Sequence, residues 1–375
     1  MTGLPVANSY AALDPGNPVR RPVRSPGRSR SQAFSDNFDA RTLFYDCFWH
    51  ADGRRVLLVG PPIEPFHRRA RFIADPGGVA LSARQFSSLS TTVTELRGAP
   101  ASASVIRAEI GGEVHLLPIR PSSVRALAGR RLLFSINRDN DLAWIREWAS
   151  FHAKVHGTDA VILFDNGSTK YAADEVLDVL REVPGIAVAG VPSWPYSFGP
   201  VDQAVKRDPY WARFLQIGSM SVLLRRYGEQ AYGLLDCDID ELAGTRSGQS
   251  IYQLAKQSRD GLIAFHGQWI EATGPGTRHR DFCQRLSDPS KARCRPRKWA
   301  LDPSRPWVGK LSVHPYWHWI EGRPPFSKTM PEDALYWHFR GINTDWKSAR
   351  NRPPAEGAAL ETDRLLQRAF AGLDG

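Results

Sequence analysis

The sequence predicts an α/β fold, a mostly parallel open sheet with flanking helices, preceded by a small β-rich unit. Three observations carry that reading. From residue 131 onward, apolar runs of strand length alternate with stretches of helical apolar spacing, the rhythm of βαβ units. Between about 38 and 120 the runs are shorter, and Asp52-Gly53 and Gly111-Gly112 stand between them as hairpin signals. Three strands of the later region end in polar clusters, at 137–141, 165–166 and 238–241. Open parallel sheets bind ligands outside the carboxyl ends of their strands. Strands lying side by side would therefore gather these clusters into one cleft.

Composition narrows the classes. With 375 residues, 42% of them hydrophobic, the chain can bury a large core. No apolar run reaches about 18 residues and the start lacks an apolar signal core, so the expectation is a cytoplasmic protein. Cys47, Cys237, Cys283 and Cys294 show no metal-binding or CxxC spacing and are expected reduced. A net charge of +10 suits a polyanionic partner, whether nucleic acid, an anionic membrane surface or a phosphorylated substrate.

In chain order, residues 1–36 are rich in Pro, Gly, Ser and Arg and read as a disordered basic arm. Such an arm could hold the protein peripherally at the inner face of a membrane. Residues 37–125 carry strand-like runs at 42–50, 54–60, 70–74, 104–110 and 113–119, expected to form an antiparallel sandwich or barrel without catalytic residues. The α/β region spans 126–350. A buried strand at 131–137 leads through Asn140-Asp141, a helix N-cap, into a helix at 141–155. Leu142, Ile145, Ala149 and His152 form its apolar stripe, and Trp148 and His152 read as packed core. A strand at 160–165, a helix at 172–183, a strand at 186–191 and a helix near 211–227 follow. Residues 351–375 read as a helical tail.

The stretch 231–242, AYGLLDCDIDEL, begins as a buried strand and breaks into acids. Strand alternation would put Asp236, Asp238 and Asp240 on one side and Glu241 on the other. Clustered carboxylates repel unless a cation lies among them, and Mg²⁺ or Mn²⁺ is the natural neutraliser.

These residues resemble GT-A glycosyltransferases of the family-92 and family-2-like type. Glu147-Trp148, His152, Gly157, Asp165-Asn166 and Ser168 match its opening motifs, although the first acid falls at Asp139 or Asp141 instead of in Asn-Glu. Gln216 and Asp238-Ile239-Asp240-Glu241 match its glutamine and acidic motif; 297–303, 308–314 and 335–341 resemble later elements. The resemblance covers about 130–350. It implies a Rossmann-like GT-A domain that moves a sugar from a nucleotide-sugar donor to a glycan or lipid-linked acceptor hydroxyl, with inversion, in polysaccharide or glycoconjugate synthesis. Asp165, flanked by Asn137, Arg138 and Asn166, would hold the nucleotide; Lys298 and Arg340 would meet phosphate. Asp238 and Asp240 would carry Mn²⁺ or Mg²⁺, completed by His314 or His338. Glu271 would be the catalytic base, with Glu241 and Asp281 as rivals. Trp317, Trp319 and Trp337 could stack on sugars or lie in the core.

Two other classes fit less well. A sugar nucleotidyltransferase carries a Gly-rich, Lys-terminated loop after its first strand, which NRDNDLAW lacks. A nucleic-acid-binding protein would need a basic stripe where this cleft gathers acids, so no nucleic-acid partner is expected.

Overall fold

The computed structural model describes residues 1–67, 69–200, 212–274, 276–325, 329–344 and 353–372. Its centre is a nine-stranded sheet. In spatial order the strands are Thr2–Gly3, Val188–Gly190, Ala160–Asp165, Arg131–Asn137, Gly233–Asp236, Arg293–Leu301, Leu262–Ile270, Ala334–Phe339 and Glu241–Thr245. The first five run parallel, as do Leu262–Ile270 and Ala334–Phe339; the other three pairings are antiparallel. Leu133, Val161, Leu163 and Leu235 pack toward the helix Leu142–His156, while Leu132, Phe134, Ile162 and Leu234 pack into a second cluster with the helix Phe214–Val222. Burial on both faces explains why these strands read as unbroken apolar runs.

Two four-stranded antiparallel sheets cover 46–118. One holds Glu113–Pro118, Val105–Ile110, Arg71–Asp75 and Val79–Ala80; the other holds Asp46–Trp49, Arg55–Gly60, Thr92–Arg97 and Ser82–Ser87. Gly111 and Gly112, at φ 64° and 84°, make the two-residue hairpin that the sequence signals. The strands at 82–87 and 92–97 were not expected. Ser82–Ser87 is polar and largely exposed, so no apolar alternation marks it.

The expectation of a disordered arm at 1–36 does not hold. Thr2–Gly3 adds to the edge of the large sheet beside Val188 and Ala189, and Leu4, Ala11, Leu13 and Phe34 are buried. The Arg21 guanidinium is buried and donates to the carbonyls of Pro62 (2.9 Å) and Asp39 (2.8 Å). These anchors are too sparse to show a period, whereas the proline and charge between them dominate composition. With Arg21 consumed inside the fold, less of the arm's charge faces outward than composition suggests.

Arg226, in the π-helical turn Leu223–Gly228, joins the large sheet's helical layer to the N-terminal strands. Its guanidinium lies 2.7 Å from the Asp46 carboxylate, with both side chains fully buried. At the other end of the chain, Asp363 caps the helix Arg364–Ala371, whose Phe370 packs against Phe151. Residue 211 of the expected 211–227 helix, and 351–352 and 373–375 of the expected tail, lie outside the described residues. No helix among the described residues is long and apolar enough to cross a membrane.

Candidate functional site

Two polar clusters form at the carboxyl ends of neighbouring parallel strands. Asn137 and Asp165 end adjacent strands and lie opposite each other. Asn137 Nδ2 donates to Asp165 Oδ1 (2.8 Å), and the Ser168 backbone N–H donates to Asp165 Oδ2 (3.0 Å). Gly167, at φ 72°, makes the reversal that brings Ser168 back onto Asp165. Asn137 Nδ2 also lies 3.3 Å from Ser168 Oγ, which closes the ring of contacts, and Asn140 Nδ2 donates to Asn137 Oδ1 (3.0 Å). Asn137 is wholly buried and orients Asp165. Asn166 is also buried, and its Nδ2 donates to the Trp194 and Tyr196 carbonyls at 2.7 and 2.9 Å. It braces that loop through its amide nitrogen, while its Oδ1 is buried with no hydrogen-bond partner among the described residues. Arg138 is exposed just past the strand end.

The acid run does not continue as a strand. The strand stops at Asp236, and the Glu241 N–H donates to the Asp238 carbonyl (3.0 Å), so the chain turns. The turn brings the Glu241 carboxylate back to accept from the Asp238 N–H (2.8 Å). Glu241 therefore joins the aspartates, contrary to simple alternation. Lys298 lies at the centre of the cluster, 2% exposed, with Nζ 2.9 Å from both Asp238 and Glu241 and 3.9 Å from Asp236. Burial alone would lower its pKa; the surrounding carboxylates outweigh it and hold the ammonium well above its usual value. The sequence placed Lys298 on phosphate. Enclosed by three acids, it serves instead as their internal counter-ion.

His338 Nε2 lies 3.1 Å from Asp240 Oδ2, and its Nδ1 lies 3.7 Å from Glu241 Oε1. Burial disfavours its charge, yet Asp240 first and Glu241 after it push the pKa to about 10. Among the described residues, Asp240, Glu241 and His338 each offer a metal-ligating atom, all within 4.8 Å of one another. The cluster gathers four carboxylates, Asp236, Asp238, Asp240 and Glu241, around Lys298 and His338, an excess of acids over bases within that group of six side chains. A divalent cation fits that excess, and a donor set of two carboxylates and an imidazole suits Mn²⁺ better than Mg²⁺. The group differs from the expected one in two ways. Asp238 places no ligand atom within that 4.8 Å group. His314 is buried elsewhere, with neither ring nitrogen hydrogen-bonded among the described residues and its pKa pushed by burial, then by Arg225, to about 4.

Of the three carboxylates considered as base, Glu271 follows directly on the strand Leu262–Ile270 and lines a cavity of about 470 Å³ with Arg340. Arg340 Nε sits 3.1 Å from its Oε2, so Arg340 meets a carboxylate where phosphate was expected. Glu241 is held by Lys298. Asp281 is exposed and accepts from the Thr277 and Arg278 backbone N–H groups at 2.7 and 2.8 Å, a turn cap. The tryptophans divide: Trp317 and Trp337 are buried, whereas Trp319 is 41% exposed and stacks on Tyr316 at 4.5 Å.

The motif residues of the first long helix support this site from behind. Glu147 accepts from the His279 N–H (2.6 Å) and from the Arg280 guanidinium. His152 Nε2 accepts from the Ala243 N–H (3.1 Å), fixing the strand that starts at Glu241. Trp148 and His152 are core, as the sequence reading held.

Two residues were missed. Ser135 Oγ donates to Asp238 Oδ1 (3.3 Å), tying the strand that ends at Asn137 to the acidic cluster; the one hydroxyl inside the apolar run RLLFSIN was its available signal. Trp269 stacks on His338, and nothing local to its sequence marks that role.

No protein-family model and no curated protein matches the chain. Among solved structures, it is similar to WbbM, a bifunctional glycosyltransferase in its apo form, at 8% identity and a TM-score of 0.28. The match covers 55% of this chain and 39% of that one, a likeness too distant to carry fold or activity across.

Proposed function

We propose that this chain is a metal-dependent glycosyltransferase acting on a nucleoside diphosphate sugar and an acceptor hydroxyl. The observation that carries the reading is the parallel pairing of Arg131–Asn137 with both Ala160–Asp165 and Gly233–Asp236, because it sets two differently suited clusters side by side at strand ends. The Asn137–Asp165–Ser168 cluster offers an oriented carboxylate to ribose hydroxyls or a base. The neighbouring cluster offers Asp240, Glu241 and His338 to a divalent ion, Mn²⁺ ahead of Mg²⁺.

A divalent ion bound there would offset the charge that gathers on the departing diphosphate. This chain's own residues supply the remainder. Lys298 holds the Asp238 and Glu241 carboxylates in place, Trp269 orients His338, and the cavity beside Glu271 admits the acceptor. In an inverting displacement the acceptor oxygen bonds to the anomeric carbon as the carbon–oxygen bond to diphosphate breaks. Glu271 takes the hydroxyl proton, and Arg340 orients it for that task. The acceptor class is a glycan or lipid-linked hydroxyl, with the exposed Trp319, backed by buried Tyr316, as a stacking surface.

Release of nucleoside diphosphate from a panel of nucleotide sugars, with Mn²⁺ or with EDTA, tests the reading. Turnover of a donor only with metal supports it. No binding or turnover of any donor with metal present would remove it.

A further inference from the structure

A basic groove lies on the opposite face of the sheet from the candidate site. Gln268 is paired with Trp337, and Trp269 with His338. Successive strand residues face opposite ways, so Gln268 looks away from His338. Around Gln268 is a cavity of about 660 Å³ lined by Arg246, Arg285, Arg293 and Arg364. A second cavity, of about 280 Å³, adjoins it and shares Arg246, Gln268 and Leu335 with it. Glu361 and Asp363 are the acids lining the larger cavity, so four guanidiniums face two carboxylates there, and Glu332 lines the smaller one. Both acids of the larger cavity are engaged. Arg285 pairs with Glu361, and Asp363 caps a helix while accepting from Trp337 Nε1 (3.2 Å) and the Gln268 amide. Arg246 Nε donates to the Glu332 carbonyl (3.2 Å). Arg293 and Arg364 are exposed and have no hydrogen-bond or ion-pair partner among the described residues. His266, which lines the second cavity, has its pKa lowered by burial and further by Arg293 and Arg297, a sign of the positive field there.

We propose that this groove is a binding site for a multivalent oxyanion of the phosphate-ester class, separate from the donor site. Guanidinium forks match the paired oxygens of phosphate, and several converging on one cavity that has an excess of positive charge select for more than one negative charge. The groove does not need a metal, and it does not depend on the glycosyltransferase reading.

Two arms separate a soluble phosphate from a lipid headgroup. In the first, inorganic pyrophosphate is titrated calorimetrically into the full chain at low salt with EDTA, which silences any metal-dependent donor site. In the second, the chain is sedimented with phosphatidylcholine vesicles, with and without phosphatidic acid, whose phosphomonoester headgroup can carry two charges. The Arg293→Gln/Arg364→Gln double variant should keep its melting temperature, because both side chains are exposed. It should bind about 10- to 100-fold more weakly in whichever arm the wild type binds, while Asp240→Asn binds like wild type. Loss in the first arm identifies soluble phosphate; loss in the second alone identifies headgroups. No wild-type binding in either arm, or equal binding by wild type and the double variant, would overturn the proposal.

Discussion

Trp269 stacks on His338 with ring centroids 4.2 Å apart and planes 23° from parallel, and the Arg340 guanidinium lies 4.2 Å from the Trp269 ring centroid. This joins the acidic cluster to Glu271 through one chain of contacts, since Arg340 ion-pairs with Glu271. The stack holds the imidazole edge toward Asp240. Trp269→Leu should free the ring and weaken Mn²⁺ binding by about 10- to 100-fold, the usual cost of losing a group that orients a ligand. Calorimetric Mn²⁺ titration checks it; an unchanged affinity would mean that His338 needs no such support.

Lys298 is a cation shared by three acids before any metal arrives. Lys298→Met keeps its length and removes its charge, so buried Asp236 and Glu241 and partly buried Asp238 lose that shared ammonium. The expected loss is about 3–5 kcal/mol in urea unfolding at neutral pH. Part of it should return as pH falls and the carboxylates protonate.

How much of this was legible in the sequence depends on distance along the chain. Asn137, Asp165 and the 236–241 acids were legible because each ends a local apolar run. The role of Lys298 was not, because it lies 60 residues beyond Asp238 and meets it only through the pairing of Arg293–Leu301 with Gly233–Asp236. The turn at Asp238–Glu241 defeated the alternation rule because one backbone hydrogen bond reverses where Glu241 points. Residues 1–36 were misread because Leu4, Leu13 and Phe34 are single anchors in a polar stretch.

Glu147 gives the protein an acid-sensitive joint. Burial raises its pKa, but hydrogen bonds from His279 and Arg280 prevail and hold it down to about 2 from 4.5. A depressed carboxylate stabilises the fold above its unfolded pKa, and that contribution disappears as pH falls from about 4.5 to about 2. Allowing for solvent at the Arg280 side, it amounts to about 2 kcal/mol. Stability measured against pH should therefore show a shallower acid limb in Glu147→Gln than in wild type.

The Asp46–Arg226 pair should behave as a clamp between the N-terminal strands and the large sheet. Asp46→Asn leaves a fully buried guanidinium without its counter-charge, at a cost of about 3 kcal/mol. Denaturant unfolding reads it directly. A change within about 0.5 kcal/mol, the range of an ordinary surface substitution, would show that the pair adds nothing.

The central claim is that Asp240, Glu241 and His338 hold a divalent ion that secures a nucleoside diphosphate. Calorimetry with nucleoside diphosphates, with and without Mn²⁺, on wild type and Asp240→Asn tests it most directly. The account predicts saturable binding by wild type only with Mn²⁺, and at least about tenfold weaker binding by Asp240→Asn, whose amide keeps the size and loses the charge. Equal binding in EDTA, or by Asp240→Asn at wild-type strength, would contradict it.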